Sequence, residues 1–557
     1  MGVLVAGAML ATSPVRVAAQ LSTQPFAAYG NASTLQVNAV QALLGGPPLA
    51  NVNAALSAGV VNSTGLNALV QNQFGNAVGP PQPGKNAYGR GSGLELGISP
   101  LTGEQNALIL SGVAQANAPP PSPLVTEEIE IAVPGVLTAS TLRGQAQATY
   151  DPLFCPVGRP LTYGLGYAEN LQLLPGSIGG LVGTSATGDS VSQTRTVTYL
   201  VPNGDGTYGV RAESEAIIAP VSVAGTGITI EIAGPVGFRV TATGKPDSQI
   251  LPGFPRNGVE YTDTPVITVR LMGVPLPGTP VTLQDILGPN GLEIDIPLLA
   301  SVAIGAPPEG LSGTGEPSVA ADGTSASASL DIVRLKLLPL VGLLDTSIGH
   351  FEGAVSAPAG GVRCNLPVSK IATPDPVQVG QEVVFTISIP SDPGLFNALF
   401  ACDLVNIRAV DTVEVASGNV GFTILGADRG GVIGPANVVT FPDLGSYALG
   451  DPPIQVNIRV RIDSASGDPA ILRDRVKVDA LLGNCRGRAA GDDLVIGSGL
   501  IEGSAITGEF VLIGPTIAGG RLAATGGTSA PLVVGGALVL GGLGLVRLRR
   551  RLIQRRV

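Results

Sequence analysis

From Glu127 onward the chain is written in short stretches in which apolar and polar residues take turns. Glu127–Val133 reads EEIEIAV, Gly227–Gly234 GITIEIAG, Phe238–Gly244 FRVTATG and Ala326–Leu338 ASASLDIVRLKLL. A period of two sends one set of side chains to a core and the other to water, which is the pattern of half-buried β-strands. Thr194–Ala216 carries two such runs around Asn203-Gly204-Asp205-Gly206, turn chemistry that predicts a hairpin. No stretch here has a helical period with caps at both ends.

Before Glu127 the pattern is less definite. Tyr29–Val70 is rich in Ala, Asn, Gly and Leu, and its apolar spacing fits helix or strand. Asn117–Pro123, NAPPPSP, is a stiff extended segment and marks a joint between two β units, if the body has two. From Cys364 the alternation tightens. Cys364–Pro390, Cys402–Val415, Pro452–Ser464 and Arg473–Cys485 each alternate, with Pro, Gly or Asp between them. About six or seven strands in roughly 120 residues predict an immunoglobulin-like sandwich. The expected fold class is mostly β. An elongated β-rich body spans 20–361, an Ig-like β-sandwich spans 364–485, and 486–521 is a spacer or the last strands.

Composition sharpens this. Only 13% of residues are charged, aromatics are 4%, Trp is absent, and Gly (78) and Pro (46) are abundant while apolar residues stay at 44%. Small apolar residues broken by Gly and Pro suit many short strands joined by turns. The formal charge is −10, and seven of the arginines (Arg16 and the six from Arg547 to Arg556) lie in segments expected to be removed. So acidic a mature surface has no affinity for nucleic acid or anionic lipid. It suits an extracellular protein.

The two end segments are addresses. Val3–Ala11 is an apolar run of signal-peptide length, and Val17-Ala18-Ala19 puts small residues at −3 and −1 of a cut between Ala19 and Gln20. Residues 1–19 are therefore read as a signal peptide, with a buried strand or short helix as the alternative. Ala530–Val546 carries no charge, and six arginines follow. As a helix of about 1.5 Å per residue the run reaches about 25 Å, close to a bilayer core, and the arginines set its C-terminal end in the cytoplasm. Leu522-Ala523-Ala524-Thr525-Gly526 stands just before it.

Pentapeptide, apolar span and arginine tail together resemble the cell-wall sorting signal of Gram-positive bacteria, with Ala523 where the usual pattern has proline. This form is similar to the signal used by one sortase class of actinobacteria. The resemblance implies that a sortase cysteine attacks the Thr525 carbonyl, releases Gly526 onward, and passes the acyl group to a peptidoglycan amine. The span then holds the chain at the membrane only until sorting, whereas a permanent single-span anchor is the alternative. Val368–Cys485 resembles a conserved repeat domain of bacterial surface proteins, the domain of unknown function numbered eleven. Lys370–Pro374, Val379–Ile389 and Asn406–Val413 carry that likeness, which implies a stalk or spacer. Gly349–Cys364 looks like the lead-in to this domain in actinobacterial surface proteins.

Four cysteines in an exported chain predict two disulfides from Cys155, Cys364, Cys402 and Cys485, with three pairings open. One bond within the sandwich and one from Cys155 to its lead-in would stiffen the joint. The lone His350 offers no triad and no G-x-S-x-G elbow accompanies it, so a structural role is expected. Asn203–Thr207 and Asp463–Asp468 lack the acidic spacing of calcium loops. Glu127, Glu128 and Glu130 read as a solvated strand face rather than a glycosidase pair, and Lys85 lacks the rest of a phosphate loop. No catalytic residue, metal or cofactor is expected. The expectation is a non-enzymatic cell-surface protein, structural or adhesive, with sortase and peptidoglycan as covalent partners and an unknown extracellular ligand. The alternative is a membrane-anchored module that binds glycan or protein, and an extracellular hydrolase is a third reading without an identifiable site.

Overall fold

A computed structural model of the chain describes residues 25–39, 50–65, 84–98, 107–133, 137–151, 159–173, 181–183, 190–205, 207–250, 252–262, 265–283, 292–297, 299–305, 317–337, 344–364, 366–375, 377–399, 402–483, 500–506 and 511–514. Ala19, Gln20, Cys155, Cys485, the Leu522–Gly526 pentapeptide and the 530–546 span lie outside the described residues. No helix among the described residues is long and apolar enough to cross a membrane.

The protein is mostly β, as the alternation predicts, and the pairing is antiparallel throughout the ladders described below. In chain order the main elements are β1 (Ala27–Ala39), β2 (Ala50–Asn62), β3 (Ala87–Ile98), β4 (Ala107–Ala118), β5 (Ser122–Val133), β6 (Leu137–Ala148) and β7 (Thr162–Glu169). They continue with β8 (Val191–Pro202), β9 (Thr207–Ile217), β10 (Val236–Ala242), β11 (Ser325–Leu337), β12 (Leu344–Ser356), β13 (Ser369–Thr373), β14 (Glu382–Ile389), α1 (Pro393–Leu399), β15 (Asp403–Ala427) and β16 (Ile454–Gly483). The hairpin predicted around Asn203–Gly206 forms as β8 and β9.

A first sheet runs β11-β12-β1-β2-β3-β4, extended beyond β11 by Ala300–Ile304 and Leu292–Ile296. β1 lies between β2 and β12, so Tyr29 pairs with Val60 on one side and Ala354 on the other. Between β4 and β5 the chain leaves this sheet for a second, whose centre runs β10-β9-β8-β7-β6 with β5 also on β6. The proline-rich segment at 117–123 is that crossing.

Two sheets usually stack about 10 Å apart, with a layer of side chains between. Here the backbones touch. A Cβ on Gly89 would sit 2.5 Å from the carbonyl oxygens of Gln147 and Tyr163. A Cβ on Gly91 would run into Leu165 O and Gln145 O, one on Gly144 into Gly91 O, and one on Gly164 into Arg90 O. Beside this glycine zone the layer is made of hydroxyls. Ser57 Oγ lies 2.8 Å from Thr196 Oγ1, Thr196 lies 3.0 Å from Ser214 Oγ, and Thr194 Oγ1 donates to Ala55 O at 2.5 Å. At the far end Phe238 meets Phe351 with ring centroids 5.9 Å apart. The sheets thus diverge as the intervening side chains grow from glycine through serine and threonine to phenylalanine. This also explains why Tyr29–Val70 has no clear period. Most residues of β1 and β2 are buried on both faces, and a strand covered twice has no polar side to alternate with.

The third sheet is built on β15 and β16, which pair along their length from Asp403↔Gly483 to Ala427↔Ile458 through several register shifts. The first part of β16 pairs with β14 (Val383↔Val460), and β13 pairs with β14. The last part pairs with Leu500–Ile506 and Val511–Gly514. Side chains of β13 nevertheless touch the inner parts of β15 and β16, so the sheet folds over itself into two layers joined by the long strands. The helix α1 was missed in the sequence although its signals are present. Asp392 caps it, with Leu395 N donating to Oδ1 at 3.1 Å, and Pro393 opens it. Phe396 points from it into the core against Tyr447 at 5.5 Å.

Gly91→Ala is expected to lower stability by about 3 kcal/mol, since no side chain can yield where backbone carbonyls are the obstacle. Gly434→Ala, with nothing nearer than 3.5 Å, should change little. The urea unfolding midpoints of the two variants check this.

Candidate functional site

The pairing in the first sheet skips one row. Ile332, Gly349, Thr34, Ala55, Gly93 and Gly112 stand opposite one another across six strands, and no regular pair forms at their level. Ala55, Gly112 and Gly349 take φ of 44°, 60° and 70° there. The row is a crease, and it inverts which residues face which side. Arg90 and Glu95 are five apart, an odd spacing that would put them on opposite faces of a regular strand. Across the crease they share a face, with Arg90 Nε 2.8 Å and Nη2 2.6 Å from Glu95 Oε1.

Gly30, Gly59, Gly89 and Gly91 face the second sheet. Their neighbours therefore carry the opposite face, and the register sets them in rows. Ser329, Glu352, Asn31, Ala58 and Arg90 form one row, and Asp331, His350, Ser33, Leu56 and Ser92 the next. Beyond the crease Ser347, Gln36, Asn53 and Glu95 form a third. Apart from the half-buried Glu352 these polar side chains are buried, Arg90, Glu95 and Asn31 to 4%, 3% and 4% exposure. Asn31 Oδ1, Ser33 Oγ, Asn53 Oδ1, Ser92 Oγ and His350 Nε2 have no hydrogen-bond partner among the described residues. Tyr29 borders the rows, donating to Glu352 Oε2 at 3.1 Å. Burial first, then the Glu352 charge, pushes its phenol well above the ordinary tyrosine range.

His350 sits in this polar face. Its Nδ1 is 2.8 Å from Asp331 Oδ1, and Ser347 Oγ donates to Asp331 Oδ2 at 2.9 Å. Ser, His and Asp meet, but the serine turns to the carboxylate instead of the imidazole. No nucleophile is activated in this arrangement, because a triad needs the hydroxyl on the histidine's second nitrogen.

The outer face of the second sheet is the other polar surface. Gly144, Gly164 and Gly166 point inward, so Arg143, Tyr163, Leu165 and Tyr167 point out. Tyr163, Leu165, Val197, Tyr199 and Val201 form a small apolar cluster with Tyr167 against it. The Arg143 guanidinium stacks 4.6 Å from the Tyr167 ring. Charges oppose across strands: Arg195 with Glu215 at 2.9 Å, and Glu213 with Arg239 at 2.9 Å. Burial alone would raise the Glu213 carboxyl. Hydrogen bonds from Arg239 and from Tyr199 (2.7 Å) bring it below the usual carboxylate range. The Tyr199 phenol is itself pushed up to about 12, chiefly by burial.

Of the residues singled out in the sequence, Cys364 and Cys402 are both disulfide-bonded. Asp205 Oδ1 accepts from Thr207 N and Oγ1, a local turn, and its other oxygen meets Lys245. Asp463 is held by Thr423 and by Arg461 at 2.8 Å. Glu127, Glu128 and Glu130 are exposed on β5, with Glu128 3.9 Å from Arg143. Lys85 donates to Pro119 O at 2.6 Å. Among the described residues no group of His, Cys, Asp and Glu is placed to hold a metal ion. Sequence reasoning missed the Arg90–Glu95 pair and the Asn31, Ser33 and Asn53 rows. Their only signal was polar residues inside an otherwise small-apolar stretch.

No family model matches the chain, and no curated protein matches it. The likeness of Val368–Cys485 to the conserved repeat domain thus has no family-model match behind it. Among solved structures the chain is similar to the N-terminal domain of the Streptococcus gordonii adhesin Sgo0707, at 9% identity over 69% of this chain and 89% of that one, with a TM-score of 0.15. It is also similar to the Enterococcus faecalis MSCRAMM ACE, described as binding its ligands by the collagen Hug model, at 9% identity over 45% of this chain and 92% of that one, with a TM-score of 0.13. At these TM-scores neither likeness bears on function.

Glu95→Gln leaves the Arg90 guanidinium buried without its anion and should cost about 3 kcal/mol, much of it recovered in Arg90→Met/Glu95→Leu. A urea double-mutant cycle reads both. A carboxyl whose pKa is depressed in the folded state contributes stability above the unfolded value and loses it as pH falls through the folded one. Thermal midpoints of Glu213→Gln should therefore fall less than those of the wild type as pH drops below about 4.

Proposed function

We propose that the chain is a non-enzymatic exported surface protein, joined to peptidoglycan by sortase cleavage after Thr525, and that its β body serves as a structural or adhesive element. The observation that carries this reading is the order of three features: Leu522–Gly526, then the uncharged Ala530–Val546, then six arginines. Each has a separate physical task. The span holds the chain in the bilayer, the arginines fix its direction, and the pentapeptide then stands at the outer surface where a sortase acts. The body agrees with a scaffold role. Its sheets lock backbone to backbone, and its one histidine is tied to Asp331 in the interior.

A second reading, a membrane-anchored module that binds glycan or protein, is favoured by the outer face of the second sheet. The half-buried Tyr167, Arg143, Arg195 and Arg211 stand there over the buried Tyr163 and Tyr199, and tyrosine and arginine are residue types that contribute strongly to binding surfaces.

Mass spectrometry of the wall fraction after muramidase digestion separates the two. A C-terminal peptide ending at Thr525 and carrying a peptidoglycan amine is expected. Protein that stays with the membrane and retains residues beyond Gly526 would overturn the sorting reading. Thr525→Ala should move the protein from the wall to the membrane fraction, and loss of a cell-binding phenotype on deleting residues 20–361 would assign adhesion to the body.

A further inference from the structure

Three ionisable side chains meet in the core of the sandwich. Lys370 comes from β13, Asp411 from β15 and Asp474 from β16, and all three side chains are fully buried. Asp411 stands opposite Val476 and Asp474 opposite Val413, so the two carboxyls lie on one face of the β15–β16 pair, a diagonal step apart. Lys370 reaches them from the other layer, where it pairs with Ile387. Its Nζ contacts the Asp411 carboxylate and lies 2.6 Å from Asp474 Oδ2. Around them stand Phe385, whose ring centroid is 5.6 Å from Nζ, and the buried Ile387, Val413 and Val476.

One cation and two ionised acids would leave a net negative charge in an apolar core, which is prohibitive. One acid must be neutral. Burial, with Asp411 beside it, holds the Asp474 carboxyl well above the usual range against the pull of Lys370. Asp474 is therefore the acid that holds its proton. In water an amine and an acid stop at the ion pair, because solvation favours both charges. Here desolvation favours the neutral forms, and the fold has already brought the reacting atoms together.

We propose that Lys370 and Asp474 are joined by an intramolecular isopeptide bond, with Asp411 as the proton carrier. Asp411 takes a proton from the Lys370 ammonium, leaving a neutral amine. Nζ attacks Cγ of Asp474 and forms the C–N bond. Asp411, now an acid, protonates the departing hydroxyl of Asp474 as the C–O bond breaks, and takes back the second proton of the amine nitrogen. The products are one amide, one water and a neutral Asp411; no oxidant, reductant or cofactor enters. The amide is uncharged, so the reaction removes the buried charges that make the starting set costly. Asp411 touches the reacting atoms and is a catalytic residue in this sense.

The bond would tie the first strand of the sandwich to its last long strand. If the chain is anchored through Thr525, which rests on the proposed function, tension between the body and the wall would pass through this link and bypass the strands between. The bond itself does not depend on that reading.

The test is peptide mapping of the purified, reduced and alkylated full-length chain. Expected is a branched tryptic product in which 364–408, uncut at Lys370, carries the peptide containing Asp474 and is lighter by one water than the sum of the two. Asp411→Asn should yield the two as separate peptides with ordinary cleavage after Lys370. The wild-type digest decides even if that variant fails to fold. Free Lys370 and Asp474 peptides from the wild type would overturn the proposal, and a branch at Asp411 would overturn the assignment of roles. Neither result depends on how Thr525 is processed, so failure here and failure of wall anchoring are read separately.

Discussion

The body of this protein depends on the absence of side chains between two sheets. Gly89 and Gly91 on β3, Gly144 on β6 and Gly164 on β7 let carbonyls of one sheet occupy the space a Cβ would need on the other. Such contact buries little apolar area per residue, so the usual hydrophobic gain is small at this end. Its stability comes from close dispersion contact over many atoms and from the hydroxyl bonds among Ser57, Thr162, Thr194, Thr196, Thr198 and Ser214. The low aromatic content and the many small residues follow from this geometry. Bulky residues such as Phe238 and Phe351 fit only where the sheets have moved apart.

The same constraint accounts for the crease. Strands β3 and β4, held against the second sheet's backbone at Gly89, Gly91, Gly93 and Gly112, cannot relieve their twist one by one, and β2, β1, β12 and β11 follow them in register. The irregularity therefore falls at one level in all of them, from Ile332 to Gly112. Its consequence is chemical. By inverting parity it gathers Arg90 with Glu95, and Asp331 with Ser347 and His350, on the face turned away from the second sheet.

Legibility in the sequence divides along these lines. Wherever one face of a strand is wet, the period of two is plain. The β8–β9 hairpin, β14 and the inner half of β15 were all visible from alternation and turn residues. Where both faces are covered, as in β1 to β3, the period vanishes, and glycine read as a breaker is in fact the packing residue. The polar rows left only one trace in the sequence, polar residues inside a small-apolar stretch. Their assembly depends on a parity change that leaves no pattern in spacing, and Arg90 with Glu95 looks like two unrelated charges. The helix α1 was legible in Asp392-Pro393 but is shorter than any window in which a helical period can be counted.

The sandwich core shows a signal that alternation does carry. In Ile407–Val413 the inward positions are Ile407, Ala409, Asp411 and Val413, and in Leu472–Val478 they are Leu472, Asp474, Val476 and Val478. An acid in an apolar phase is costly unless something on the facing layer meets it. Two such acids on adjacent strands require a cation between them, and the buried Lys370 is the side chain placed there. Removing Lys370 leaves two acids in the core without their cation, whereas replacing all three by apolar residues would give an ordinary sandwich of comparable or greater stability. Kept as ions, these three side chains offer no clear advantage over an apolar core, and the condensation proposed above would remove their charges while keeping β13 and β16 joined.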